Sequence, residues 1–234
     1  MFYLVSDKHK YIILTFPKSG CTLLRLLHIY LNKNDDEVIN YKFEDKHHYI
    51  HPNYKKPFKY KQEYDTYYKV VVYRNPYERL CSVFYQKVCG VMSNNITYKN
   101  KLIEQPYKLN NEYNSFNKWL DLIICKKTED YHFIGQKYNN FNFDQKIEIN
   151  NIQNIFENNK DLNKLVNETI IKYKLNGRNS LEKYDLKNSR DLSNYDFYTD
   201  KDKLLIDNKV PKYKYLLSKN IINKIKNNYD DDFL

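Results

Sequence analysis

The 234-residue sequence contains no apolar run long enough to cross a lipid bilayer. Its short N-terminal stretch carries Asp7, Lys8, His9 and Lys10, so it predicts neither a signal peptide nor a membrane anchor. These absences argue against a membrane-spanning protein. We therefore expect a soluble protein, cytoplasmic or otherwise free of the membrane.

Cysteine and glycine are scarce, with four residues of each. The four cysteines (Cys21, Cys81, Cys89 and Cys125) lack the spacing of metal ligands, which argues against a cysteine-bound metal. We expect reduced, buried thiols, because a bridge between Cys89 and Cys125 would matter only in an oxidising compartment. Few glycines beside abundant Asn, Lys, Tyr and Ile are typical of AT-rich coding, so a single lysine carries little information.

The length suits one α/β domain over residues 1–234, with no repeat and no internal boundary. The formal net charge of +10 and pI near 9.1 favour an anionic ligand or partner. A nucleotide, a sulfated glycan and a nucleic acid all satisfy that charge. The composition alone does not choose among them.

The first informative motif lies near the start of the chain. Residues 11–16 are β-branched, aromatic or otherwise bulky, which predicts a buried strand. Residues 17–22 are rich in loop-forming and polar types, and from Thr22 a leucine-rich helical pattern runs to about Asn32. A strand, a short loop and a helix in this order place a helix N-terminus at the carboxyl edge of a sheet.

Such an edge binds phosphate or sulfate because the first N–H groups of a helix have no intrahelical acceptor. Lys18 adds a positive charge, and Ser19 and Thr22 add hydroxyl donors. The loop is not a Walker A motif, since the lysine precedes the glycine and no Gly-Lys-Ser/Thr closes it.

A second strand–helix junction follows at residues 68–85. Residues 68–73 form a β-rich run, after which Asn75 is expected to cap a helix that begins at Pro76. Arg74 stands at the strand end and Ser82 lies eight residues further on, within the helix. The apolar residues expected to face the core are Leu80, Val83, Phe84 and Val88.

Together the two motifs resemble those of the sulfotransferases that use 3′-phosphoadenosine 5′-phosphosulfate (PAPS). The order Pro-Lys-Ser-Gly-Cys-Thr is similar to their sulfate-end loop, and Arg-Asn-Pro-Tyr-Glu-Arg-Leu is similar to the carbohydrate (Golgi-type) branch. The resemblance implies that Lys18 is catalytic and that Arg74 and Ser82 hold the 3′-phosphate. The residues it assigns to the donor are Pro17, Lys18, Ser19, Gly20, Cys21, Thr22, Leu23, Arg74 and Ser82.

The resemblance also implies an α/β, P-loop-like, three-layer fold with a central parallel sheet flanked by helices. The implied reaction moves a sulfuryl group from PAPS in line to an acceptor hydroxyl, with a carbohydrate favoured, and leaves adenosine 3′,5′-bisphosphate. We expect no metal, because a sulfuryl group carries less charge than a terminal phosphate and no carboxylate set is placed for Mg²⁺.

The acceptor hydroxyl must lose a proton, and a histidine or glutamate suits that task. Residues 34–66 hold His47, His48 and His51, of which His48 is favoured, with Glu44 as the carboxylate option. The segment at residues 130–136 resembles a His-Trp/Phe…Gln stretch of the carbohydrate branch. It adds His132 and Gln136 as secondary candidates.

Three alternatives stay open. A P-loop nucleotide-binding protein or small-molecule kinase would share the strand–loop–helix start, and a basic nucleic-acid-binding protein would share the charge. The lysines are spread through the sequence rather than clustered, so we expect no nucleic-acid partner. The third alternative keeps the nucleotide site but lacks turnover. The remaining elements predicted from the sequence pattern are a helix at 113–125, two short helices within 152–173 and a long loop at 175–202. The resemblance to the sulfotransferases further implies a strand at 143–149 and, at 221–234, a closing helix that ends in Tyr and Asp before an aromatic residue.

Overall fold

A computed structural model describes residues 2–32, 61–89, 111–126, 136, 142–173, 175, 182–200, 203–204 and 209–229. In chain order its strands and α-helices are β1 (Phe2–Ser6), β2 (Tyr11–Thr15), α1 (Cys21–Asn32), β3 (Tyr68–Tyr73), α2 (Pro76–Val83), α3 (Phe116–Lys126), β4 (Gln145–Glu148), α4 (Lys160–Lys172), β5 (Glu182–Tyr184), α5 (Phe197–Asp200), β6 (Lys209–Pro211) and α6 (Lys219–Asn228). Short 3₁₀ segments occupy Gln62–Thr66, Ile149–Asn154 and Tyr213–Tyr215, and a π-helical turn spans Phe84–Val88.

The chain divides into two compact units, so the single domain over 1–234 stays a prediction. The first unit comprises Met1–Arg74 and Tyr138–Gly177, and the second comprises Asn75–Lys137 and Arg178–Leu234. The fold is a mixed α/β arrangement with a mostly parallel sheet and flanking helices.

The first unit contains a four-stranded sheet in the order β1-β2-β3-β4. Strands β2, β3 and β4 are parallel, whereas β1 is antiparallel to β2. All five residues of β2 are buried, as its unbroken apolar sequence predicts. Leu24 and Leu27 of α1 and Val166 of α4 share a buried cluster with Ile13 and Val72 of the sheet. The predicted strand–loop–helix at residues 11–32 is therefore confirmed.

Strand β1 is absent from the sequence prediction. It pairs with β2 through a turn in which Lys10 has φ 52°. Left-handed turn positions are normally filled by Gly, Asn or Asp, so the usual hairpin signature is missing.

The second unit begins at the other predicted junction. Asn75 accepts hydrogen bonds from the N–H groups of Tyr77 (3.0 Å) and Glu78 (3.4 Å), and Pro76 opens α2. The expected cap and helix start are confirmed. The predicted core residues Leu80, Val83, Phe84 and Val88 are all buried.

Further along the second unit, the predicted long loop at 175–202 contains β5 and α5, and β5 pairs in parallel with β6. A three-residue strand and a four-residue helix are too short to leave a periodic signature. The helix predicted at 113–125 is observed as α3. The helix expected at 221–234 is observed as α6, which ends at Asn228, and residues 230–234 lie outside the described residues. No helix within the described part of the chain is both long and apolar enough to cross a membrane.

None of the four cysteines, all of which lie in the described part of the chain, forms a disulfide. Cys81 and Cys89 are buried and Cys21 is half-buried, but Cys125 is exposed and forms no bridge with Cys89. The expectation of buried thiols is therefore wrong for Cys125.

A polar network ties the start of β2 to the C-terminal end of α1. The Tyr11 hydroxyl lies 2.9 Å from His28 Nδ1, and Asn32 Nδ2 donates to the same hydroxyl at 2.9 Å. The hydroxyl and the ring nitrogen share one hydrogen bond, whose donor depends on the tautomer of His28. Burial, with a smaller contribution from the neighbouring His9, lowers the pKa of His28 to about 4.

We expect this histidine to make stability depend on pH. An unfolded chain protonates His28 below about pH 6.5, whereas the folded chain does so only near pH 4. Its contribution to the free energy of unfolding is intact above pH 6.5 and falls by about 3 kcal/mol as the pH drops to 4. Urea unfolding at pH 7.5 and 4.5 should show this loss in the wild type and a smaller one in His28→Asn. The asparagine keeps an acceptor near Nδ1 and cannot take up a proton. Identical pH dependence in both proteins would contradict the assignment.

Candidate anion-binding site

The loop between β2 and α1 is a tight turn with two left-handed residues. The Ser19 N–H donates to the Phe16 carbonyl at 3.1 Å, and Lys18 and Gly20 have φ 66° and 75°. A left-handed lysine costs roughly 1–2 kcal/mol, so the surrounding contacts must hold it in place. Lys18 is the one residue of the loop with a long cationic side chain, and this backbone sets its starting direction.

Gly20 is required at its position for two reasons. Its positive φ disfavours any residue with a Cβ. In addition, a Cβ placed there would lie 2.3 Å from Cδ1 of Ile149, the first residue after β4. The absence of a side chain at Gly20 therefore allows Ile149, just after β4, to pack directly against the loop backbone.

The carbonyl groups of the loop are directed at protein donors. The Lys18 carbonyl accepts from Arg74 Nη1 at 3.2 Å, and the Ser19 carbonyl accepts from Thr15 Oγ1 at 3.3 Å. The Gly20 carbonyl accepts the first helical hydrogen bond, from the Leu24 N–H at 3.0 Å. The negative ends of these peptide dipoles are thus occupied within the first unit.

The positive ends lie at the beginning of α1. The N–H groups of Cys21, Thr22 and Leu23 have no acceptor within the helix, because an α-helical N–H bonds to the carbonyl four residues earlier. Gly20 has no side chain with which to cap them, and the first turn contains no acidic residue. A twelve-residue helix adds its dipole to these donors. The arrangement is suited to bind a phosphate or sulfate group.

Strand register explains why Arg74 reaches this loop. In the β2–β3 ladder Thr15 pairs with Val72, so Arg74, two residues further along, stands level with Pro17. Lys18 and Arg74 therefore stand at the same end of the sheet. Two basic residues from separate motifs are thus brought together next to the loop that precedes α1.

Comparison with known proteins adds one finding. The family model described as the sulfotransferase family matches residues 2–234. The chain belongs to the sulfotransferase family. No curated protein and no solved structure matches it. Family membership supports sulfuryl transfer in general, and a transferase as the class of enzyme.

The residues predicted to bind PAPS in this sulfotransferase-family protein differ in how deeply they are buried. Arg74 is half-buried in the first unit, and Ser82 is buried on α2 in the second. Within the loop, Pro17 and Ser19 are buried, and Lys18, Gly20, Cys21, Thr22 and Leu23 are half-buried. Because Ser82 belongs to the other unit, its role stays a prediction.

The proposed bases of the transferase reaction lie outside the described residues. They are Glu44, His47, His48, His51 and His132. Gln136 is described and is buried. Within the described ranges, no group of three or more His, Cys, Asp or Glu side chains could hold a metal ion.

Sequence reasoning missed two residues that shape the loop, Thr15 and Ile149. Thr15 is a polar residue at the end of an apolar strand, and that contrast is a readable signal. Ile149 gives no signal, because its contact with Gly20 depends on how β4 packs in the sheet. A buried arginine on α1, Arg25, also escaped notice.

Proposed function

We propose that the chain transfers a sulfuryl group from PAPS, in line, to an acceptor hydroxyl, and that the acceptor is a carbohydrate. The observation that carries the proposal is the hydrogen bond from Arg74 Nη1 to the Lys18 carbonyl, which joins the two sequence motifs at one sheet edge. The likeness of residues 74–84 to the carbohydrate branch supports the choice of acceptor.

The hydrogen-bond donors and positive charges at this loop fit an anionic nucleotide. A helix N-terminus without acidic residues, a lysine and an arginine are complementary to phosphate and sulfate oxygens. The carbonyl groups of Lys18, Ser19 and Gly20 already accept hydrogen bonds from Arg74, Thr15 and Leu24. An anion there meets N–H groups rather than carbonyl lone pairs. The P-loop-like character of the fold is part of this proposal.

When bound, PAPS supplies a sulfuryl group whose S–O bond to phosphate breaks as a new S–O bond to the acceptor forms. The role of Lys18 is to stabilise the negative charge that the phosphate gains, together with the N–H groups of Gly20 to Leu23. Preorganised donors of this kind are commonly worth about 3–4 kcal/mol in a transition state. A histidine, with His48 favoured, takes the acceptor's proton.

The first test is thermal unfolding with adenosine 3′,5′-bisphosphate. A ligand that binds only the folded state at 100 times its Kd stabilises that state by about 2.7 kcal/mol, so the melting temperature should rise with concentration. Stabilisation by Mg²⁺-ATP but not by the bisphosphate would instead favour a kinase, and DNA or RNA binding would favour a nucleic-acid partner. Radiolabelled PAPS, offered with glycans, tyrosyl peptides and small alcohols, then identifies the acceptor class.

Arg74→Ala should weaken binding of adenosine 3′,5′-bisphosphate about 10- to 100-fold, because hydrogen bonds to charged groups contribute about 1.5–3 kcal/mol. Calorimetric titration measures the change. Arg190→Ala is the matched control, since Arg190 is an exposed arginine that lies over the Tyr195 ring in the second unit. Equal affinity in the Arg74 variant and the wild type would remove Arg74 from the site.

A further inference from the structure

The buried hydroxyl of Thr15 faces the inner side of the loop. Thr15 is the last residue of β2 and has no exposed surface. Its Oγ1 donates to the Ser19 carbonyl at 3.3 Å, four residues along the chain. A hydroxyl in the interior needs an acceptor, because leaving it without one costs the full penalty of desolvation. This hydrogen bond therefore links the end of β2 to the loop that follows it.

That hydrogen bond also fixes the direction of the next N–H group. The peptide bond between Ser19 and Gly20 is trans and planar, so its C=O and N–H point in opposite directions. Since the carbonyl is directed at Thr15, the Gly20 N–H is directed away from the strand. The same peptide plane is flanked by Ser19 and by left-handed Gly20, and left-handed Lys18 lies one residue earlier, so the loop backbone departs from its preferred conformation on this stretch.

We propose that Thr15 is a positioning residue that, through the Ser19 carbonyl, aims the Gly20 N–H at the sulfated end of the donor. Arg74 holds the preceding carbonyl, of Lys18, in the same way. The carbonyls of two successive peptide groups thus accept hydrogen bonds from side chains of the sheet, one from Thr15 at the end of β2 and one from Arg74 just after β3. The inference rests on the proposed function for the identity of the ligand, but the hydrogen bond from Thr15 to the Ser19 carbonyl is a property of the free protein.

The test uses Thr15→Val, which keeps the β-branched shape in a strand and removes only the donor, and Thr15→Ser, which restores the hydroxyl. Thr169→Val is the matched control, because Thr169 is buried in the same unit and its Oγ1 donates to the Leu165 carbonyl at 2.8 Å. Titrations use adenosine 3′,5′-bisphosphate, whose 5′-phosphate reaches the loop, and adenosine 3′-monophosphate, which lacks that group.

We expect Thr15→Val to bind the bisphosphate about 3- to 10-fold more weakly, the range that one hydrogen bond supplies. Its affinity for the 3′-monophosphate should be unchanged, and Thr15→Ser and Thr169→Val should resemble the wild type. Unchanged affinity for the bisphosphate, an equal loss for both nucleotides, or failure of Thr15→Ser to restore binding would each overturn the proposal.

A second readout separates this inference from the proposed function. The Ser19 amide is hydrogen-bonded to the Phe16 carbonyl, so its hydrogen exchange reports whether the turn is closed without any ligand. We expect faster exchange at Ser19 in Thr15→Val than in Thr15→Ser. If the wild type bound neither nucleotide, the proposed function would fail. Faster exchange at Ser19 in Thr15→Val would still show that the Thr15 hydroxyl holds the loop in place, and unchanged exchange would overturn that role.

Discussion

Replacing Lys18 with alanine should lower kcat about 100- to 1,000-fold, the usual loss when one preorganised donor to a developing charge is removed. Affinity for adenosine 3′,5′-bisphosphate should fall much less, because the ammonium acts chiefly on charge that appears as the S–O bond breaks. Transfer from radiolabelled PAPS measures the rate, and calorimetry measures the affinity. The backbone supports this reading: Lys18 holds a left-handed φ of 66°, so alanine meets the same conformational cost and need not rearrange the loop.

Two further variants make the Lys18 experiment specific to charge. Lys18→Met keeps the length of the side chain and should lose as much turnover as the alanine. Lys164→Ala is the control, because Lys164 is an exposed lysine on α4 whose partner is Glu168. Full turnover in either Lys18 variant would refute the catalytic role.

Gly20→Ala should destabilise the protein by about 2–4 kcal/mol, adding the cost of a left-handed alanine to that of overpacking. The new Cβ would lie 2.3 Å from Ile149 Cδ1 and 2.4 Å from Cγ1, so the isoleucine or the loop must move. Nucleotide binding should be lost as well, because the loop N–H groups would be displaced. Urea unfolding and titration with the bisphosphate check both effects.

A double-mutant cycle separates the steric part from the backbone part. Ile149→Ala creates the space that the Gly20→Ala methyl needs, so the double variant should be at least about 1 kcal/mol more stable than the sum of the single effects predicts. The cost of positive φ should remain. Additive effects would mean that Ile149 does not restrict position 20.

The sequence predicted the loop and its chemistry because both are local. A bulky strand, a glycine in the turn and a leucine-rich helix identify a strand–loop–helix junction without tertiary information. The cap at Asn75 and the helix start at Pro76 were predictable for the same reason, since each depends on neighbouring residues alone.

What the sequence could not show depends on contacts between distant residues. The bond from Arg74 to the Lys18 carbonyl spans 56 positions and follows from the β2–β3 register, which no local pattern encodes. The contact of Ile149 with Gly20 likewise requires β4 to pack beside β3. Strand β1 was missed because its turn uses Lys10 where a glycine or asparagine would have signalled it. The proposed base, His48, lies outside the described residues and stays a prediction.

The most direct test of the central claim is a crystal structure of the complex with adenosine 3′,5′-bisphosphate. We predict the 5′-phosphate within hydrogen-bond distance of the loop N–H groups and the Lys18 ammonium, with the 3′-phosphate on the Arg74 guanidinium. A nucleotide bound elsewhere, or one whose phosphates touch neither Lys18 nor Arg74, would contradict the account.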